Sequence, residues 1–159
     1  SGVWQSVYSG AKWTDAKGPN RYRRSVYTYW KRTSPYPSMT TFDAPSRDVC
    51  VPQRIPTNTP LQALVTLNDP VFLECSQHFS KRMKSEGGAT VKSQIAYGYK
   101  LVTQQKASDH TVKTLAELYH QLVADYKTQD HSKLASNPED AAMVIIGNAL
   151  LNIDAAITK

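Results

Sequence analysis

Proline placement divides this chain more sharply than any other feature. Pro35, Pro37, Pro45, Pro52 and Pro56 punctuate the stretch leading up to residue 57. Each fixes φ and removes a backbone donor, so this stretch reads as ordered loop, not helix or central strand. Further on, proline recurs only at Pro60, Pro70 and Pro138, directly behind the capping residues Thr59, Asp69 and Asn137. Proline is welcome at the first helical position, where its missing N–H would have no intrahelical partner anyway. The same residue type therefore breaks helices in one part of the chain and starts them in the other.

The helical grammar is explicit from Thr57 onward. Thr59-Pro60-Leu61-Gln62 reads as a capping box opening a short helix to about Leu67. Asp69-Pro70 restarts a helix that runs to about Lys84 and stops at Glu86-Gly87-Gly88. A third spans roughly Val91–Gln104, with Ile95, Tyr99 and Val102 on one stripe. Ser108 caps a fourth over Asp109–Tyr126, where Val112, Leu115, Leu118, Tyr119, Leu122, Val123 and Tyr126 recur at helical spacing. Asn137-Pro138, with Glu139 and Asp140 in the first turn, starts a fifth that should reach about Ala155. Before residue 57, Ser25-Val26-Tyr27-Thr28-Tyr29-Trp30 is β-branched and aromatic. It favours a short strand, with a helical turn as the alternative.

The chain has 159 residues, which predicts a single domain with enough length to bury a core without staples. No segment reaches the roughly 18 apolar residues of a membrane span. The start, Ser1-Gly2-Val3-Trp4, has no initiator Met and no signal segment, so Ser1 is expected to be a cut within something longer. Two cysteines, Cys50 and Cys75, are too few for a disulfide framework and leave the compartment and their pairing open.

The net charge of +6 matters less than its distribution. Six of the seven arginines, Arg21, Arg23, Arg24, Arg32, Arg47 and Arg54, precede residue 55, while the later half uses lysine mixed with acids. Lysine scattered on helices reads as a solvated face; clustered arginine reads as bidentate pairing. Here the arginines alternate with Tyr22, Tyr27, Tyr29, Trp30, Tyr36 and Phe42, against Asp43 and Asp48. One reading makes Arg23, Arg24, Arg32, Arg47 and Arg54 an anion-binding set beside an aromatic platform of Tyr27, Tyr29 and Trp30. The other, favoured on the sequence, makes the arginines structural donors to the many backbone carbonyls of a loop-rich segment. Charge alone is a thin basis for nucleic-acid binding, and no nucleic-acid partner is expected.

A complete active site is not visible. Covalent haem needs Cys-x-x-Cys-His; Cys75-Ser76-Gln77-His78 lacks a cysteine and the adjacent histidine. Cys75 and His78 would share a helix face, but further metal ligands are not evident. The plain reading is a buried cysteine and a partly exposed histidine. His110, His120 and His131 read as exposed, and neither a nucleophile elbow nor a phosphate loop is present. No metal and no cofactor is expected in this chain.

Three ordered motifs carry a family resemblance: Tyr22-Arg23-Arg24-Ser25-Val26-Tyr27-Thr28-Tyr29-Trp30-Lys31-Arg32-Thr33, then Phe42-Asp43-Ala44-Pro45-Ser46-Arg47-Asp48-Val49-Cys50, then Thr57-Asn58-Thr59-Pro60-Leu61-Gln62-Ala63-Leu64-Val65-Thr66-Leu67-Asn68-Asp69-Pro70. Together they resemble the PSD-one domain, a family of unknown function near the C-terminus of large planctomycete-type multidomain proteins. The resemblance runs from Gly2-Val3-Trp4 to Asp154. It implies an exported protein, periplasmic or at the cell surface, and in many members an upstream cytochrome c domain that would hold haem c. It supplies no reaction. Cys75 stands where members often have Ala, which argues against a role for its thiol. Ala107-Ser108-Asp109-His110-Thr111 replaces a common Pro-Ser-x-x-Glu and loses only the capping glutamate.

The expected fold is mainly α. A bundle of about five helices (residues 58–159) carries an irregular Arg/aromatic section (1–57) containing at most a short strand, the two together forming one domain. The expected role is non-catalytic, an interaction or scaffold domain with the upstream domains of its own polypeptide as partners. The competing reading is part of a composite enzyme or glycan-binding site acting on anionic polysaccharide through the arginines.

Overall fold

The computed structural model describes residues 16–31, 35–47, 49–53, 55 and 57–157. Among these there are seven helices and no strand. The chain divides at Thr57 into two compact units.

The helical unit begins with α2 (Pro60–Asn68) and continues through α3 (Pro70–Glu86), α4 (Val91–Thr103), α5 (Asp109–Tyr126), α6 (Pro138–Leu151) and the single turn α7 (Asp154–Ile157). The caps explain the starts. Thr59 Oγ1 accepts from Gln62 N while Gln62 Oε1 accepts from Thr59 N, the reciprocal box expected of this sequence. Asp69 accepts from Val71 N, Ser108 from Thr111 N and Asn137 from Asp140 N. Each satisfies a donor that the first turn leaves without an intrahelical partner. The stop after α3 depends on glycine. A Cβ on Gly87 would lie 2.4 Å from the Met83 carbonyl oxygen and 2.6 Å from Gln94 Cα, and Gly88 has φ +92.

Helix α6 is the centre of this unit. It packs chiefly on α3 and α5, with α4 also in contact. Met143, Ile146 and Leu150 are fully enclosed, together with Met83 of α3 and Ile95 of α4. Tyr99 and Val102 of α4, and Leu115, Leu118, Leu122, Val123 and Tyr126 of α5, pack around this core. The stripes expected on α4 and α5 thus face inward. At Gly98, the absence of a Cβ lets the Met83 side chain come within 2.8 Å of where one would sit. Polar links tie the rim. Lys84 of α3 donates to Asp140 of α6, which raises the lysine pKa and lowers that of the carboxyl. Tyr97 of α4 donates to Glu86 of α3, which also pairs with Arg82 Nε at 3.1 Å; both contacts lower the Glu86 pKa.

The last helix departs from expectation. It ends at Leu151 instead of continuing to about Ala155, and α7 follows as a separate turn. The break falls at Asn152, whose Oδ1 accepts from Thr66 Oγ1 of α2 at 2.6 Å. A contact across 86 positions of sequence, not a local stop signal, coincides with the break.

In the first unit, 3-10 turns span Gly18–Tyr22 and Ser25–Tyr27, and α1 covers Pro37–Thr41. The short strand favoured over Ser25–Trp30 is therefore not formed: Tyr27 N bonds to Arg24 O at 2.9 Å and Thr28 N to Ser25 O at 3.0 Å. β-branched residues favour strands only where a neighbouring strand offers a pleated surface to pack on, and the described residues contain no strand. The proline-rich stretch does hold one helical turn, α1, because Pro37 occupies its first position.

Candidate functional site

The two 3-10 turns set the arginines against the rings by short-range geometry. Arg21 lies over the Tyr22 ring at 5.6 Å and Arg23 over Tyr27 at 6.0 Å. The closest pair is non-local: Arg47 stands 5.0 Å from the centroid of Trp30. Arg47 has φ +64 and Asp43 φ +59, so the backbone enters the left-handed region twice on the way to that contact. The Asp43 carboxylate accepts from Thr57 N at 2.6 Å and Thr57 Oγ1 at 2.7 Å, closing the loop between them. Arg23, Arg24 and Arg47 are exposed, as are Tyr27 and Tyr29, while Trp30 is half-buried. The Trp30 Nε1 is enclosed without an acceptor among the described residues.

These contacts form cation–ring pairs. At exposed sites each such pair contributes roughly 0.5–1 kcal/mol. The structure brings Arg47 to Trp30 and Arg23 to Tyr27, and places Arg24 on the adjoining surface. Arg32, Arg54 and the expected counter-ion Asp48 lie outside the described residues.

The cysteine expected to be buried is not. Cys75 is exposed, as is Cys50, and both are free. The inward row of α3 is Ser76, Ser80 and Met83; Cys75 lies one position, about 100°, round the helix from it. His78 is exposed as well. Among the described residues, no three His, Cys, Asp or Glu side chains gather as metal ligands would. His110 and His120 are exposed, but His131 is half-buried with its ring 5.9 Å from that of Tyr126. No described helix is long and apolar enough to cross a membrane.

Sequence reasoning missed the orientation of α2. Its inward residues are polar, Gln62 at 1% and Thr66 at 4% exposure. Its leucines face out: Leu61, Leu64 and Leu67 are half or more exposed, and Val71 at the start of α3 extends the row. The inward stripe is affordable because it is hydrogen-bonded, Gln62 through the capping box and Thr66 to Asn152. The one sequence signal was the i, i+4 spacing of Gln62 and Thr66 within an otherwise apolar helix.

A family model described as PSD1, protein of unknown function (DUF1553), matches residues 3–119. The chain belongs to this family. The match takes in all three motifs quoted above, the whole of α2, α3 and α4, and most of α5. Neither a curated protein nor a solved structure matches the chain. Membership of the PSD1 family thus fixes kinship and assigns no reaction.

Proposed function

We propose that this PSD1 chain is a non-catalytic interaction domain of a large exported polypeptide, docking through α2 onto another domain of that same polypeptide. The observation that carries the reading is the inversion of α2. Soluble domains seldom leave a row of leucines in water while hydrogen-bonded polar residues line the interior. The row contains no charged residue from Pro60 to Asn68, as suits the core of a protein interface, where charge is depleted. The family resemblance supports the setting: periplasm or cell surface, with haem c, where members carry it, in a separate upstream domain.

The test uses L61E/L64E. The isolated chain should keep its melting temperature, because neither leucine is buried. The remainder of the polypeptide, supplied separately, should no longer co-elute with it on size exclusion. Undiminished co-elution would remove α2 from the interface.

Arg47 on Trp30 favours a second reading, in which the arginine–aromatic surface holds anionic polysaccharide, alone or as part of a composite site. Under it, R47A leaves the melt unshifted and lowers binding to sulfated or carboxylated glycans, and added salt weakens what remains. A melt lowered by several degrees, with glycan binding intact, would return the arginines to a structural role.

A further inference from the structure

The helical unit carries a second cationic feature, independent of both the arginines and α2. Between α4 and α5 lies an open cleft of about 540 Å³, lined by Lys92, Lys100, Lys106 and Lys113 against a single lining acid, Asp109. The size falls within the roughly 300–1,000 Å³ usual for small-ligand sites. Helical spacing builds the cleft. Lys92 and Lys100 stand two steps of four apart on α4, with Ala96 between them, so the row has two long cationic arms over a small residue. Asp109 and Lys113 repeat the four-residue step on α5, and Lys106 comes from the connecting loop, beside the buried Ala107.

Convergence on one concavity sets these lysines apart from Lys127 and Lys133, which are also without an ion pair among the described residues but do not line the cleft. Lys84 and Arg82 each meet a carboxylate. Of the cleft lysines, only Lys113 does, at 4.0 Å from Glu117, both side chains being well exposed. Lys92, Lys100 and Lys106 have no ion pair among the described residues. Four lysines lining one concavity with one acid give it a net positive charge, and a multivalent anion seated there would meet several of those charges at once. Ammonium groups are compact point charges without the planar fork of guanidinium, so they select by charge density more than by bond geometry.

We propose that the α4–α5 cleft binds a compact polyanion carrying two or more phosphate or sulfate groups.

Titration calorimetry on the full chain tests this with two probes, inorganic tripolyphosphate and a sulfated disaccharide. It is run at about 0.01 M and about 0.1 M salt, where the screening length falls from about 30 to about 10 Å. At least one probe should bind with one-site saturation and weaken at the higher salt; the tighter probe identifies the source of the oxyanions. K100Q/K106Q should weaken that binding by about tenfold, a loss of about 1.4 kcal/mol. The control K127Q/K133Q removes the same charge elsewhere on the helical unit and should change the affinity by less than about twofold, under 0.5 kcal/mol. Equal losses in the two variants would reduce the effect to net charge and overturn the proposal, as would the absence of saturable binding by either probe. All four substituted lysines are exposed, and circular dichroism checks that both variants remain folded.

Discussion

Helices α2 and α6 are alike on paper and opposite in the molecule. Both open with a capping residue and a proline, and both are free of basic residues. Helix α6 buries Ala141, Ala142, Met143, Val144, Ile146, Gly147, Asn148 and Leu150, nearly its whole circumference. Helix α2 buries only Gln62 and Thr66 and leaves its leucines outside. Apolar composition therefore predicts burial only where a helix has neighbours on several sides. Helix α6 has α3, α4 and α5; α2 lies against α3 and α6 and meets them with its polar edge.

The largest test of this contrast is in α6. L150A removes a side chain with no exposure and should cost about 2–5 kcal/mol, read from denaturant midpoints at constant m-value. The mirror-image test is in α2. T66V keeps shape but removes the donor to Asn152, leaving its Oδ1 without that hydrogen bond. A loss of about 1–3 kcal/mol is expected, where a polar residue on an exposed face would give almost none. A neutral T66V would show that the polar edge contributes nothing to stability.

Smaller still is the rim pair Lys84–Asp140. Asp140 has a lowered pKa in the fold, so its contribution is full at neutral pH and fades as pH falls through that lowered value. Lys84 has a raised pKa, so its share is lost only as pH rises through the raised value, above the ordinary lysine range. Both side chains are about 40% exposed (41% and 39%), and screening limits the pair to roughly 0.2–1 kcal/mol. Melts of D140N and the parent protein should differ at neutral pH and converge in acid. The smallest effect belongs to L64E, within about 0.5 kcal/mol of the parent chain. A loss comparable to that of L150A would mean that the α2 row is interior after all.

What the sequence disclosed follows from the range of each interaction. Thr59, Asp69, Ser108 and Asn137 cap within three residues of themselves, so the starts of α2, α3, α5 and α6 are legible locally. The end of α6 is not, because Asn152 meets a partner on another helix. The same division holds for the candidate site. Arg23 reaches Tyr27 four positions on, whereas the meeting of Arg47 with Trp30 depends on two left-handed backbone positions that neither Asp43 nor Arg47 announces. The inversion of α2 was hidden because nine residues without charge give no face a clear polar majority. The lysine cleft was hidden because Lys92 and Lys100 lie on one helix while Lys106 and Lys113 come from the loop and helix that follow.

Helix α6 also has a consequence for biosynthesis. It is translated after α3, α4 and α5, yet it supplies the surface on which they close. Until residues 138–151 leave the ribosome, α3, α4 and α5 have only one another to pack against and lack the central helix of the core. At translation speeds of about 5–20 residues per second, that interval lasts on the order of seconds. The nascent chain must cross it with the sides of Ile95, Tyr119 and Leu122 that α6 will cover still open, which makes this the window in which a holding chaperone would find most to bind.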